Sequence, residues 1–156
     1  MRLLIANRGE IAVRIARTAR EMGLSTVAIY AEADAGALHT RVADAALPIG
    51  PSEPAHSYLA IDRVIEAARH SGATAIHPGY GFLSENPAFA QAVLDAGIVW
   101  VGPDPEVMRV MGDKVHARAA AVSAGVPVVP GVTSMEAVPT LGFPVLVKAA
   151  GGGGGR

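Results

Sequence analysis

The segment VLVKAAGGGGGR at residues 145–156 brings one lysine, Lys148, close to a run of five glycines. Each glycine in regular structure destabilises the fold by about 0.5–1 kcal/mol relative to alanine. A run of five is therefore unfavourable unless the bare backbone itself contacts another group. Successive glycine N–H groups can form a concavity that binds phosphate oxygens. Lys148 lies in a predicted strand on the same face as Leu146, where its ammonium needs an anionic partner.

Two plainer interpretations of this segment stay open. Lys148 fits the solvated face of an edge strand, and the glycine run fits a flexible linker. A strand lysine that leads into a glycine loop nevertheless favours a nucleotide lid. The commoner phosphate motifs do not match, because the turn NRGEIA after the first strand has one glycine and Arg156 follows the last glycine.

The sequence gives little indication of thiol, paired-carboxylate or metal-dependent chemistry. The chain has no cysteine, so it has no thiol nucleophile and no disulfide framework. No paired-carboxylate site is evident. The histidines show no metal-ligand spacing; they are His39, His56, His70, His77 and His116.

Composition narrows the class of protein. The chain has 156 residues and a net charge of −1, which argues against a general nucleic-acid binder. No apolar run approaches the roughly 18 residues that span a bilayer, and no signal peptide is evident. We therefore expect a cytoplasmic protein that binds neither nucleic acid nor membrane.

Strand-like and helix-like segments alternate along the chain, which predicts an α/β fold with a doubly wound, Rossmann-like parallel sheet. The first helix is expected to bury Ile11, Ile15, Ala19 and Met22, and Asn86 and Asp113 are the expected N-caps of later helices. This alternating pattern of strand-like and helix-like segments changes near Val126. We therefore expect one domain over residues 1–125 and the start of a second over 126–156.

Five motifs give the chain a family resemblance: IANRGEIAVRI, AIHPGYGFLSEN, VGP, MGDK and VLVKAAGGGGGR. In this order and spacing they resemble the biotin carboxylase family, over essentially the whole chain. The family includes the biotin-carboxylating parts of acyl-CoA carboxylases, pyruvate carboxylase and urea carboxylase. The resemblance implies the N-terminal Rossmann-like domain of an ATP-grasp enzyme, followed by the first part of the ATP-grasp lid subdomain.

The resemblance also implies a reaction. ATP with Mg²⁺ (or Mn²⁺) activates bicarbonate as carboxyphosphate, and the carboxyl group passes to N1 of biotin on a carrier domain. A separate carboxyltransferase then selects the acceptor. We favour the α subunit of an acyl-CoA carboxylase over pyruvate carboxylase.

Site residues follow from the same match. Lys114 and Lys148 resemble ATP ligands, although Lys114 alone reads as a solvated lysine at a helix start. Tyr80 and Gly81 are expected near biotin and bicarbonate, and His77 is read as a strand-end histidine that packs the turn. The glycines expected over the β- and γ-phosphates are Gly151, Gly152, Gly153, Gly154 and Gly155.

The first helix carries a polar stripe of Arg14, Arg17 and Glu21, with Glu10 expected to pair with Arg14. A solvated face is the ordinary reading of such a stripe. The resemblance implies instead a contact between the subunits of a homodimer.

The family's metal-binding glutamates, bicarbonate-binding arginine and catalytic base match no residue here, so the 156-residue chain is expected to hold no catalytic or metal residue and to be inactive alone. Two alternatives stay open. One is a non-catalytic dimerisation or regulatory module. The other is a different ATP-grasp ligase, such as a carbamoyl-phosphate or purine-pathway enzyme, which is not expected to carry HPGYGFLSEN.

Overall fold

A five-stranded parallel sheet forms the centre of the N-terminal part of the chain, as seen in a computed structural model that describes residues 1–149. The strand order is β3-β2-β1-β4-β5, and every neighbouring pair is parallel. The strands are β1 Arg2–Ile5, β2 Ser25–Ala31, β3 Ala45–Gly50, β4 Ala75–His77 and β5 Val99–Trp100. The predicted α/β class and parallel sheet are confirmed.

Helices alternate with these strands. α1 packs on α2 and α3 packs on α4. Because the chain runs outward from β1 to β3 and then crosses back to β4 and β5, right-handed connections put the two helix pairs on opposite faces of the sheet. The helices are α1 Gly9–Glu21, α2 Leu38–Val42, α3 Ile61–Ser71, α4 Pro87–Asp95, α5 Pro105–Gly112 and α6 Lys114–Ser123. Short 3₁₀ turns cover Glu32–Asp34, Pro54–His56 and Val138–Leu141.

The chain forms two compact units, Met1–Pro105 and a second that starts at Glu106. The whole sheet lies in the first unit, and α6 lies in the second. The domain boundary expected after residue 125 falls inside the second unit and stays a prediction. Within residues 1–149, no helix combines the length and apolar character that crossing a bilayer requires.

The core is built from the central strands, which read as nearly continuous apolar runs because helices cover both faces of a parallel sheet. Fully buried side chains include Leu4, Ile5, Val27, Ile29 and Ile76.

The buried face of α1 differs from the predicted one. Met22 is 68% exposed and Ile15 is only partly buried. The face toward the sheet is instead made of Ala12, Val13, Ala16 and Ala19. Small side chains let the helix axis lie close to β1, whereas the prediction had selected the largest apolar residues at helical spacing.

Both predicted helix caps are confirmed. The Asn86 side-chain oxygen accepts hydrogen bonds from the backbone N–H groups of Ala88 and Phe89, at 2.9 and 3.2 Å. The Asp113 carboxylate caps α6 in the same way.

Residues 145–149 do not form the predicted strand. A strand exists only through a hydrogen-bonded neighbour, and no segment within residues 1–149 pairs with this one. The five-residue helix α2 was missed because one turn is too short to show a helical period.

Asn86→Ala should lower the free energy of unfolding by about 1 kcal/mol, because two N–H groups of the first turn of α4 lose their acceptor. Urea unfolding measures the loss. Asn86→Asp is the matched control, since it keeps an acceptor oxygen and should stay close to wild type. Equal losses in the two variants would contradict the capping role.

Candidate functional site

The strand order reverses between β1 and β4, and open α/β sheets bind ligands at such a point, beyond the carboxyl ends of the strands. In the register of this pair, Ile5 lies beside His77, so both strands end at the same level. The turn at residues 6–8 (the β1 turn) and the loop at 78–86 (the β4 loop) therefore leave the sheet side by side.

Asn7 joins the β1 turn to the β4 loop. Its side chain is 3% exposed, and its Nδ2 donates to the backbone oxygens of Pro78 at 2.8 Å and Tyr80 at 2.7 Å. Its Oδ1 accepts from the N–H of Arg8 at 2.9 Å. Both donors of one buried amide are thus used to hold the β4 loop.

Gly79 is required by this close approach. Its φ is +68°, and a Cβ at this position would lie 2.8 Å from Nδ2 of Asn7. A side chain here would displace Asn7 and strain the backbone.

Tyr80 projects from the β4 loop and is 60% exposed. Its hydroxyl donates to the Glu10 carboxylate, and this hydrogen bond raises the pKa of Tyr80. Glu10 forms no ion pair with Arg14, so the predicted pair is wrong. An exposed pair four residues apart is worth little, and the tyrosine takes the carboxylate instead.

A buried carboxylate lies next to the β1 turn. Asp34 is 7% exposed and accepts from Arg8 Nε at 2.6 Å and from the Tyr58 hydroxyl at 2.7 Å. The hydrogen bond from Arg8 holds the pKa of Asp34 below its usual value. Burial, followed by the hydrogen bond to Asp34, raises the pKa of Tyr58. The charge of Arg8 is therefore neutralised locally.

The Tyr58 ring also touches the β4 loop. It stacks on Phe82, with ring centroids 5.0 Å apart and planes inclined by 17°. The Arg8 guanidinium lies 6.0 Å from the centroid of the Tyr58 ring. This contact gives the β4 loop a second anchor on the core, separate from Asn7.

His77 lies at the end of β4, where its Nδ1 accepts from the N–H of Gly79 at 2.9 Å. Burial lowers the pKa of His77. Because Nδ1 accepts this hydrogen bond, a neutral His77 ring carries its proton on Nε2. This agrees with the reading of His77 as a residue that packs the turn.

The other predicted site residues are spread over both units. Arg14, Arg17 and Glu21 are exposed on α1, and a surface cleft of about 660 Å³ is lined by both arginines. In the second unit, Lys114 begins α6 and Lys148 lies outside any helix or strand, both exposed. Gly151, Gly152, Gly153, Gly154 and Gly155 lie outside the described residues. The roles of all these residues stay predictions.

Asn7, Asp34 and Tyr58 were not found from the sequence. The position of NRG directly after the first strand is the signal that points to Asn7. Nothing local in the sequence indicates that Asp34 and Tyr58 meet, because their contact depends on the order of the strands.

Among residues 1–149, no group of three or more His, Asp or Glu side chains could hold a metal ion.

Two known protein families match successive parts of the chain. The family described as "Biotin carboxylase, N-terminal domain" matches residues 1–108. The family described as "Carbamoyl-phosphate synthase L chain, ATP binding domain" matches residues 113–156.

Individual relatives match almost the whole chain. Mitochondrial pyruvate carboxylase of Rattus norvegicus is 52% identical over 99% of the chain, which spans 14% of that relative. The acyl-coenzyme A carboxylase alpha3 subunit of Mycobacterium leprae is 52% identical over 99% of the chain, which spans 27% of it. The chain thus spans far less than two thirds of these relatives.

A solved structure also resembles this chain over almost its whole length. It is the biotin carboxylase domain dimer of Hydrogenobacter thermophilus 2-oxoglutarate carboxylase, in complex with MgADP, ADP and bicarbonate. The TM-score is 0.93 and the identity 45%, over 99% of this chain and 36% of that one.

Asn7→Ala should lower the free energy of unfolding by about 1–3 kcal/mol, because the carbonyl oxygen of Pro78, in a buried hydrogen bond, and that of Tyr80, in a partly buried one, both lose their donor. Urea unfolding is the measurement. Asn7→Asp keeps the shape of the side chain but turns an acceptor toward the same carbonyls, so it should be at least as unstable. Wild-type stability of Asn7→Asp would show that the hydrogen bonds do not hold the loop.

Asp34 should make stability depend on acid pH. Its folded pKa is lowered from an unfolded value of about 3.9, so the unfolded chain takes up the proton first as the pH falls. The stabilisation is complete above the unfolded pKa and is lost on acidification through the folded pKa.

The unfolding free energy of wild type should therefore fall more steeply than that of Asp34→Asn from about pH 5 to about pH 2. Urea unfolding across this range measures both curves. Parallel curves for the two proteins would contradict the pairing of Asp34 with Arg8.

Proposed function

The chain belongs to the biotin carboxylase N-terminal domain family, and from this membership we propose that the whole protein is a biotin carboxylase. Its reaction is the ATP-dependent carboxylation of biotin N1 with bicarbonate. The observation that carries this proposal is the order of the two matched domains. A biotin carboxylase N-terminal domain at 1–108 is followed at once by an ATP-binding domain at 113–156.

ATP fits the cationic residues of the second unit. Lys114 and Lys148 are both exposed cations of this unit. In the proposed site Lys148 contacts the phosphates, Lys114 lies along the nucleotide, and Gly151–Gly155 cover the β- and γ-phosphates. Cations together with preorganised N–H donors are what a transferring phosphoryl group requires. ATP supplies the phosphoryl group that activates bicarbonate.

Biotin and bicarbonate fit the β4 loop. Tyr80 offers an exposed flat ring, and Gly81 has no neighbouring atom within 4 Å of where a Cβ would be, so a ligand can approach its backbone. Asn7 and the stacked Phe82 hold this loop in place.

The metal is assigned no ligand here. Residues 1–149 contain no group of three or more His, Asp or Glu side chains that could hold Mg²⁺ or Mn²⁺.

The proposed partners are a biotin carboxyl carrier domain, a carboxyltransferase and a second copy of the chain. The solved relative is a dimer, which supports a homodimer. We further propose that Arg14, Arg17 and Glu21 lie in the contact between its subunits. An acyl-CoA carboxylase α subunit is the proposed assignment, supported by the relative from Mycobacterium leprae, although the pyruvate carboxylase match is equally identical. The absence of cysteine supports a cytoplasmic location.

Lys148→Ala in the whole protein should reduce bicarbonate-dependent ATP cleavage by about 100-fold or more, because removing one charge-stabilising donor costs this much in comparable sites. Release of ADP with and without bicarbonate is the measurement.

Arg69→Ala is the matched control, because it removes an exposed cation from α3, which belongs to the first unit, whereas Lys148 belongs to the second. It should keep wild-type turnover. Unchanged turnover in Lys148→Ala would refute the role of Lys148, and ATP cleavage that ignores bicarbonate in the wild type would refute the proposed function.

A further inference from the structure

Phe82 is the residue of the β4 loop that reaches back to the core through an aromatic contact. Its ring stacks on Tyr58, which is 3% exposed, whereas Phe82 itself is 36% exposed. The stack therefore joins a surface loop to a buried side chain.

Tyr58 is a fixed platform for this contact. Its hydroxyl accepts from the backbone N–H of Ala31 at 3.0 Å and donates to Asp34 at 2.7 Å. Asp34 is in turn paired with Arg8 of the β1 turn. The ring cannot shift without breaking the hydrogen bonds of its hydroxyl to Ala31, at the end of β2, and to Asp34, in the 3₁₀ turn that follows β2.

Phe82 has an unfavourable backbone conformation. Its φ is +44°, and it is the non-glycine residue with positive φ in the described part of the chain. A side chain with a Cβ adopts this region at a cost, and such strain persists only where the surroundings hold it. The stack on Tyr58 keeps Phe82 in this conformation.

The conformation of Phe82 affects the two residues before it, Tyr80 and Gly81. Tyr80 is tied to the protein by its carbonyl, which binds Asn7, and by its hydroxyl, which binds the exposed Glu10. The carbonyl of Gly81 accepts from the N–H of Ser84 at 2.9 Å, a contact within the loop itself. If Phe82 relaxed to a negative φ, the peptide at 81 and the ring of Tyr80 would turn with it.

We infer that Phe82, held on Tyr58, is a positioning residue that sets the orientation of Tyr80 and Gly81 toward the ureido ring of biotin. This inference rests on the proposed function. It predicts an effect on the use of biotin that is separate from any effect on the use of ATP.

The test compares Phe82→Leu with Phe82→Tyr in the whole protein. Leucine removes the stack, and tyrosine keeps it. Phe82→Leu should raise KM for free biotin by about three- to tenfold, the range expected for loss of one aromatic pair, with KM for ATP within about twofold of wild type. Phe82→Tyr should restore the wild-type KM for biotin.

A second measurement does not depend on catalysis. Amide hydrogen exchange at residues 79–84 should be faster in Phe82→Leu than in wild type and Phe82→Tyr, while exchange in β1 and β4 stays unchanged. Leu94→Ala, which shortens an exposed side chain on α4, is the control and should alter neither readout.

The outcomes separate the two claims. Unchanged exchange in Phe82→Leu, or faster exchange with an unchanged KM for biotin, would overturn the inference. A wild-type protein that carboxylates no biotin would overturn the proposed function and with it the substrate assigned to Tyr80, whatever the exchange shows.

Discussion

The buried amide of Asn7 is the constraint on which the candidate site depends. It lies where the strand order reverses, and its two donors bind successive parts of the β4 loop. Because the amide fills the space beside Gly79, no side chain fits there without displacing Asn7. A parallel sheet offers a crevice at this point in any case. Here Asn7 fixes the position of the β4 loop, which borders the crevice.

Neighbouring residues of the same short segment extend this arrangement in other directions. Arg8 reaches Asp34 in the 3₁₀ turn that follows β2, and Glu10 accepts from the hydroxyl of Tyr80. Asp34 then orients Tyr58, whose ring supports Phe82. Three polar side chains within four positions thus connect β1 to both of its neighbouring strands. This accounts for a segment that is polar although it follows a fully buried strand.

Much of the fold could be predicted from local patterns, since each strand, the long helices and the caps at Asn86 and Asp113 have signals within a few residues. The buried face of α1 could not, because packing distance from the sheet, rather than side-chain size, selects alanine there. Tyr80 was predicted at the correct edge of the sheet, because it follows a strand. Its anchors were missed, because Asn7 and Tyr58 meet the β4 loop through contacts 24 or more residues apart in sequence, which depend on the sheet order.

In the proposed enzyme, the first unit binds biotin and the second binds the nucleotide. A crystal structure of the whole protein with biotin, bicarbonate and MgADP tests this division most directly. The account predicts biotin in contact with Tyr80 and Gly81, with both hydrogen bonds of Asn7 Nδ2 kept. Biotin bound away from residues 78–86, or a β4 loop that releases Asn7 when biotin binds, would contradict it.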